Sequence, residues 1–398
     1  MPIAAVPVYL GNDFKDASPG MRFGMYLTLW EGAAWSKTRD KPLDGAKRLG
    51  DNDMKTMQAL IARQERCFDA IASSENTLRL EAQSIAPFTT GLGNEHPLEN
   101  GFAFLNPYGL PYLPGSGVKG VLRQAARELA SGEWGETHGW DEEHPHPKSL
   151  SQRERDLAEG EGLSVVDILF GLESKNGDTE HLRGALTFWD VIPQIKGDSL
   201  MVEIMTPHQK HYYQDGQSPH DSGQPTPISF LTVPPGSGFT FHVQCDLAHL
   251  DRLAPELATD GQWQKLIEAA FEHAFQWLGF GAKTAVGYGA MRSDKQRQAQ
   301  ETAAAERAEQ MKEIARKQEE ARQAEQAVPW PGARIKFNQS NGTLSVEKDG
   351  KSAAALAPKG KKLLETLPPE IQKKVLANQF IKITAYVCGK TVVRVEIA

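Results

Sequence analysis

At 398 residues the chain is long enough for two or three domains of about 150 residues each, and 40% hydrophobic against 24% charged residues excludes global disorder. No apolar run approaches the ~20 residues of a membrane span, and Met1–Leu10 carries no basic stretch ahead of its short apolar run, so neither a membrane protein nor a signal peptide is expected. Three widely separated cysteines, Cys67, Cys245 and Cys388, exclude a disulfide scaffold and give no zinc spacing, which makes a reduced, cytoplasmic protein the expectation despite an unevenly spread net charge of −7.

Residues 1–76 read as an N-terminal helical extension, with a helix near Asp53–Ala72. Thr77–Ile85 reads as a strand. Gly117–Leu129 reads as a helix, with Val118, Val121, Leu122, Ala125 and Leu129 on one stripe. Ala185–Val191 reads as a second strand. Phe239, Phe241, Val243 and Cys245 alternate with polar residues, the pattern of a half-buried third strand. Trp263, Leu266, Ile267, Ala270, Phe271, Ala274 and Leu278 trace the clearest amphipathic helix in the chain. Ala285–Met291 is expected to form a last strand. Strand, helix, strand, strand, helix, strand is the βαββαβ order, so residues 77–291 are expected to be an α+β, ferredoxin-like, RRM-like domain. Long insertions fall at about Ser131–Arg183 and Ile192–Gly236.

Arg292–Ala327 contains no Gly or Pro and carries 8 basic and 8 acidic residues. That composition favours helix, the pair Glu313–Lys317 can support it, and no sustained apolar seam marks a coiled coil. A charged helical linker over 292–327 is expected, stopped by Pro329 and Pro331. Residues 328–398 read as a small β-rich module. Thr343–Glu347, Phe380–Val387 and Thr391–Ile397 alternate as strands, Asn341-Gly342 and Gly389 mark turns, and Lys361–Ala377 is helical except at Pro368-Pro369. From Trp330 to Ala398 there are 12 Lys and Arg against 5 Asp and Glu, a net of +7 that leaves −14 for the rest. Short strands with Gly turns suit a small β-barrel, a form that often binds single strands electrostatically. A solvated basic surface explains the same charge.

Two glycine-rich segments carry the functional signal. Leu113–Arg123 reads LPGSGVKGVLR: a Pro-Gly turn, Ser116 as helix N-cap, and Lys119, Arg123 and Arg127 on one ridge. Lys119 lies in the first turn, where the helix dipole disfavours a cation unless an anion is bound, and free N–H groups at a helix start suit phosphate. A capped helix with solvent-facing bases is the bland alternative. Gly279–Gly289 reads GFGAKTAVGYG, with Gly279, Gly281, Gly287 and Gly289 around Lys283, Thr284 and Tyr288. Backbone N–H groups in such a loop can follow a phosphate chain, and Tyr288 can stack on a base. A mobile loop with one capping glycine is the alternative here. Neither segment is a Walker A or Rossmann motif.

These two segments resemble the helix start and C-terminal glycine-rich loop of the RAMP superfamily. Thr90–Ser116 (TGLGNEHPLENGFAFLNPYGLPYLPGS), Ile168–Gly171, Met205–Tyr213 and Pro227–Val233 are similar to the Cmr-type subunits that cap the 3′-side end of the guide in type III-B CRISPR effector complexes. The resemblance covers roughly Thr77–Met291. It implies an RNA-recognition-like fold, binding to crRNA and target RNA, and assembly with other RAMP subunits and a small helical subunit in antiviral defence. Carried onto this chain, the RNA-binding residues are Ser116, Lys119 and Arg123 on the helix and Gly279, Gly281, Lys283, Thr284, Gly287, Tyr288 and Gly289 on the loop.

Candidate catalytic groups are weaker. His208 and His211 lie near Tyr212 and Tyr213, and some RAMP relatives are ribonucleases that use His as general base. His138, His144 and His146 occupy a Gly/Pro/acidic stretch that fixes no metal geometry. Asp167 and Asp190 form a conceivable carboxylate pair, but Asp190 follows Trp189 at a strand end, a usual place for a structural hydrogen bond. The expectation is a non-catalytic RNA-binding subunit without metal or cofactor. An endoribonuclease that processes precursor crRNA, and a protein–protein cap with little RNA contact, remain open alternatives.

Overall fold

The computed structural model describes residues 3–38, 43–147, 162–173, 181–206, 212, 216, 218 and 227–397. The chain forms two compact units, Met1–Gln298 and Ala299–Ala398.

In the first unit the main elements are helix α1 (Asp51–Ile71), β1 (Thr77–Ser84), α2 (Gly115–Ala130), β2 (Leu186–Phe188), β3 (Met201–Met205), β4 (Ile228–Thr232), β5 (Gly238–Cys245), α3 (Gln262–His273) and β6 (Met291–Ser293). A π-helical turn, Ala274–Leu278, continues α3. Four strands form one antiparallel sheet in the order β2-β5-β1-β6. The hydrophobic alternation of β5 puts Phe239, Phe241, Val243 and Cys245 in the core, and register sets Phe241 beside Leu80 and Val243 beside Leu78. Phe241 meets Phe271 of α3 at 5.1 Å and Phe280 at 5.0 Å between ring centroids. Val118, Leu122, Ala125 and Leu129 of α2 are buried in the same cluster. Burying one such Val, Leu or Phe contributes about 1.5–3 kcal/mol.

The C-terminal end of α1 packs on the other face of the sheet, at β5 and the end of β2. The Phe68 ring lies 4.5 Å from that of His242 on β5 and 5.3 Å from that of Trp189. Residues ahead of α1 add Phe23, Leu29, Leu43 and Leu49 to the common core. Buried Arg22 ties that segment together by donating to the carbonyls of Ala17 (2.8 Å), Gly45 (2.7 Å) and Arg48.

The last strand differs from expectation. Thr284–Val286 forms a 3₁₀ turn and pairing begins only at Met291, because Gly287 and Gly289 take positive φ and cannot continue an extended strand. Arg292 and Ser293 therefore belong to the sheet, opposite Gln83 and Ala82. The β3–β4 hairpin within the second insertion was not expected.

Helix α4 (Asp294–Glu325) buries none of its 32 residues. Exposed pairs such as Lys317–Glu313 (2.9 Å) and Arg322–Glu319 (3.1 Å) decorate it. The chain then forms β7 (Val328–Asn338), β8 (Thr343–Lys348), β9 (Lys351–Ala355), α5 (Lys359–Glu365), α6 (Pro369–Leu376), β10 (Lys382–Cys388) and β11 (Thr391–Ile397). The strands close into a barrel in the order β7-β8-β9-β11-β10, and β10 pairs back onto β7. Its interior holds Ala333, Ile335, Leu344, Val346, Ile383, Ala385, Val392 and Val395, plugged by Leu363, Leu364 and Val375 of the two helices. Two of these strands escape sequence reading. β7 contains Pro329, Pro331 and Gly332 and slips register between Trp330 and Ala333, and β9 is three alanines long at its core.

Candidate nucleic-acid interface

The start of α2 is built differently from the sequence reading. The helix begins at Gly115, one residue before Ser116, and no side chain of its own segment caps it. Asp190, just beyond β2, supplies the acceptor: its Oδ1 takes the Gly115 N–H at 2.7 Å. Gly115 lies so close to β2 that a Cβ there would sit 2.2 Å from the Phe188 carbonyl oxygen. A carboxylate thus occupies the favourable position at the positive end of the helix. Ser116 is exposed on the first turn and Lys119 is half-buried on the next. Arg123 is half-buried, and its Nη2 donates to the Gly171 carbonyl at 2.8 Å. It joins α2 to the C-terminal end of the helix Val165–Phe170. Arg127 is exposed.

The glycine-rich loop leaves the π-helical turn at Gly279 and packs on residues 87–89. The Ala282 N–H donates to Thr89 O at 2.7 Å, the Gly289 N–H to Pro87 O at 2.8 Å, and the Phe280 N–H to Gly289 O at 3.0 Å. A Cβ at Gly281 would lie 2.2 Å from the Thr89 carbonyl oxygen, and one at Gly289 only 1.8 Å from that of Phe280. Both positions also have positive φ, so two of the four glycines are demanded by the loop's own seat. Gly287 also has positive φ, but nothing lies within 4 Å of where its Cβ would point. Thr284 opens the 3₁₀ turn and is half-buried, whereas Ala285, Val286 and Gly287 form an exposed tip.

Lys283 and Tyr288 turn onto the β3–β4 hairpin. The Lys283 ammonium is 2.9 Å from Met205 Sδ and 5.5 Å from the Phe230 ring centroid. The Tyr288 ring is 5.6 Å from that of Phe230, and its hydroxyl donates to Glu203 Oε2 at 3.4 Å. Burial, reinforced by the Glu203 charge, pushes the Tyr288 hydroxyl above its ordinary pKa, so it stays a neutral donor. Sequence reasoning missed Glu203, Met205 and Phe230. Their signal was a pair of short apolar runs, Met201–Met205 and Ile228–Thr232, within the second insertion.

The candidate catalytic carboxylates are committed elsewhere. Asp190 caps α2. Asp167 lies in the first turn of the helix Val165–Phe170, which Ser164 caps: Ser164 Oγ accepts the Asp167 N–H at 3.1 Å and donates to Asp167 Oδ2 at 2.6 Å. His144 is buried with Nδ1 against Glu256. His208, His211 and Tyr213 lie outside the described residues. Among the described residues no three His, Cys, Asp or Glu side chains gather as metal ligands, and no helix is long and apolar enough to cross a membrane.

Comparison with known proteins places this geometry. Over 236 residues the chain is 29% identical to the CRISPR system Cmr subunit Cmr6 of Pyrococcus furiosus, a match that spans 50% of this chain and 63% of that relative, just under two thirds of its length. A crystal structure of Cmr6 from Pyrococcus furiosus aligns with 25% identity and a TM-score of 0.29, covering 56% of this chain and 99% of that one. A chain from a cryo-EM structure of the type III-B Cmr-beta complex bound to cognate target RNA aligns with 16% identity and a TM-score of 0.41, covering 63% and 69%. A family model for the RAMP superfamily matches residues 81–292, from within β1 to within β6. That span is more than half of the chain and encloses both glycine-rich segments together with the strands that seat them, and the protein belongs to the RAMP superfamily.

Proposed function

We propose that this chain is a non-catalytic RNA-binding subunit of a cytoplasmic type III-B CRISPR effector complex, capping the 3′-side end of the crRNA and helping to position target RNA for antiviral defence. The similarity to Cmr6 over half of the chain carries the reading. The sheet order β2-β5-β1-β6 with α2 and α3 as crossovers fits a ferredoxin-like, RNA-recognition domain. In this reading the crRNA backbone runs past the first turns of α2, at Ser116 and Lys119, and across the exposed tip of the glycine-rich loop. Lys283, Thr284, Gly287 and Tyr288 border its path, and Arg123, Gly279, Gly281 and Gly289 hold the supporting backbone. Other RAMP subunits, a small helical subunit and target RNA complete the set of partners.

A second reading, a protein–protein cap with little RNA contact, draws support from a specific observation. The α2 N-terminus already holds Asp190, and Arg123, Lys283 and Tyr288 already have protein partners. The test is RNA binding by the purified assembly after Lys119→Glu with Lys283→Glu. Phosphate contact requires a loss shared by unrelated RNA sequences and a salt dependence shallower by about 0.7 in log–log slope per phosphate no longer neutralised. Unchanged affinity and slope would leave the protein cap as the function.

A further inference from the structure

The family match ends at residue 292, so the closed barrel lies wholly beyond it. Five strands close as β7-β8-β9-β11-β10, β9 and β11 are parallel, every other pair is antiparallel, and α5 and α6 fill the connection between the third and fourth strands. This is the Greek-key barrel of the OB-fold, whose oligonucleotide groove crosses the second and third strands between the first–second and fourth–fifth loops. Connectivity alone does not assign a function; the chemistry of that face does.

Register lays the face out. Lys336 on β7 pairs with Ser345 on β8, which pairs with Ala354 on β9, whose N–H donates at 3.0 Å to the carbonyl of Lys390 in the β10–β11 turn. In the neighbouring row Arg334 pairs with Glu347, which pairs with Ser352. The side chains on β8 and β9 that point away from the buried Leu344, Val346, Ala353 and Ala355 are therefore short at Ser345, Ser352 and Ala354. Cationic residues flank them: Arg334 and Lys336 on one side, Lys390 on the other. Glu347 and Asp349 are the acidic groups of the β8–β9 hairpin, offset by Lys348 and Lys351. A floor of short side chains lets a sugar–phosphate chain approach the strands, and flanking cations are what such a chain selects. The Arg334 guanidinium covers the Phe380 ring, which is 77% exposed and available to stack a base.

We infer that the β8–β9 face of the C-terminal barrel is a second nucleic-acid site that takes single-stranded nucleic acid through its phosphates, with little regard to sequence. A duplex does not fit this description, since the stacking ring needs an unpaired base.

The test uses the full chain, so that any binding by the RAMP domain is common to all variants. Labelled homopolymeric single strands longer than the ~4–16 nucleotides that an OB barrel covers are titrated at several salt concentrations. Lys336→Glu with Lys390→Glu reverses two charges at the groove. Lys373→Glu with Lys374→Glu makes the same charge change on α6 and serves as the control. The groove pair should weaken binding on the order of tenfold at low salt and flatten the slope by roughly 0.7 for each phosphate set free, while the control changes affinity much less. Phe380→Ala should weaken binding without changing the slope. Equal losses in both pairs would reduce the barrel to a diffuse basic surface, and an unchanged groove pair or a preference for duplex would overturn the site. Should the charge reversal disturb folding, as a melting curve would reveal, Lys336→Gln with Lys390→Gln carries the same comparison. RNA and DNA strands run in parallel identify which single strand the groove prefers.

Discussion

Gly281 and Gly287 stand six residues apart in one loop and answer to different constraints. At Gly281 any side chain meets the Thr89 carbonyl, whereas at Gly287 only the positive φ resists. Alanine at Gly287 should therefore cost about 1–2 kcal/mol, the usual penalty for a left-handed L-residue, and leave the chain folded. Alanine at Gly281 adds a backbone collision to the same strain and should lower the thermal midpoint several-fold more. A pair of melting curves checks the contrast. If Gly287→Ala unfolds the protein as Gly281→Ala does, the loop tip is structural and cannot serve as a contact surface. The glycine spacing was legible in the sequence, but the division of labour was not. It is decided by carbonyls of residues 87–89, nearly two hundred positions away. The helix start was misread for a related reason: Ser116 has the right chemistry for a cap, yet Asp190 reaches the N–H groups first because Gly115 lets the helix sit directly on β2.

Among the elements, the packing of α1 on the outer face of the sheet has a measurable signature. His242 is buried beneath Phe68 and Trp189, and neither ring nitrogen has a hydrogen-bond partner. Burial, aided by the charge of Arg79 and opposed by that of Asp69, depresses its pKa to about 4. The native state therefore keeps His242 neutral where the unfolded chain, near the ordinary 6.5, already binds a proton. Stability is full above pH 6.5 and falls as pH drops toward 4, by on the order of 3 kcal/mol at the lower end. His242→Leu should flatten the decline of the urea midpoint between about pH 7 and pH 4.5. A slope as steep as that of the parent chain would mean that other groups control the acid limb. Elements with strong periodicity, such as α2, α3, β1 and β5, were readable because each has one apolar face on a common core. β7 and β9 were not readable. Closure of the barrel stabilises a proline-interrupted strand and an alanine strand that local propensity alone would leave unassigned.

At the scale of the whole molecule, the two hydrophobic clusters share no residue: one draws on residues 23–291 and the other on residues 333–395. A chain ending at Ala327 should therefore keep the thermal transition of the first unit while losing affinity for single strands, most visibly at low salt. Insoluble protein, or a large fall in the first unit's midpoint, would show that the tail completes the core. Helix α4 was legible as a change of composition, because a helix that buries nothing needs only charged and small residues, although the division between the units falls inside it, after Gln298.

Strand edges bear on how such a chain survives crowding. In the barrel β7 pairs with both β8 and β10, so no strand is left with a free side. In the four-stranded sheet both outer strands, β2 and β6, are only three residues long. Unpaired edges template strand addition between molecules, and short or absent edges suppress it. The closed barrel therefore offers no edge on which amyloid-like pairing could begin, and its contacts with any neighbour are left to side chains, whereas in the sheet β6 covers only Ala82–Ser84 of β1, and the charged, exposed Arg79 and Glu81 guard the remainder.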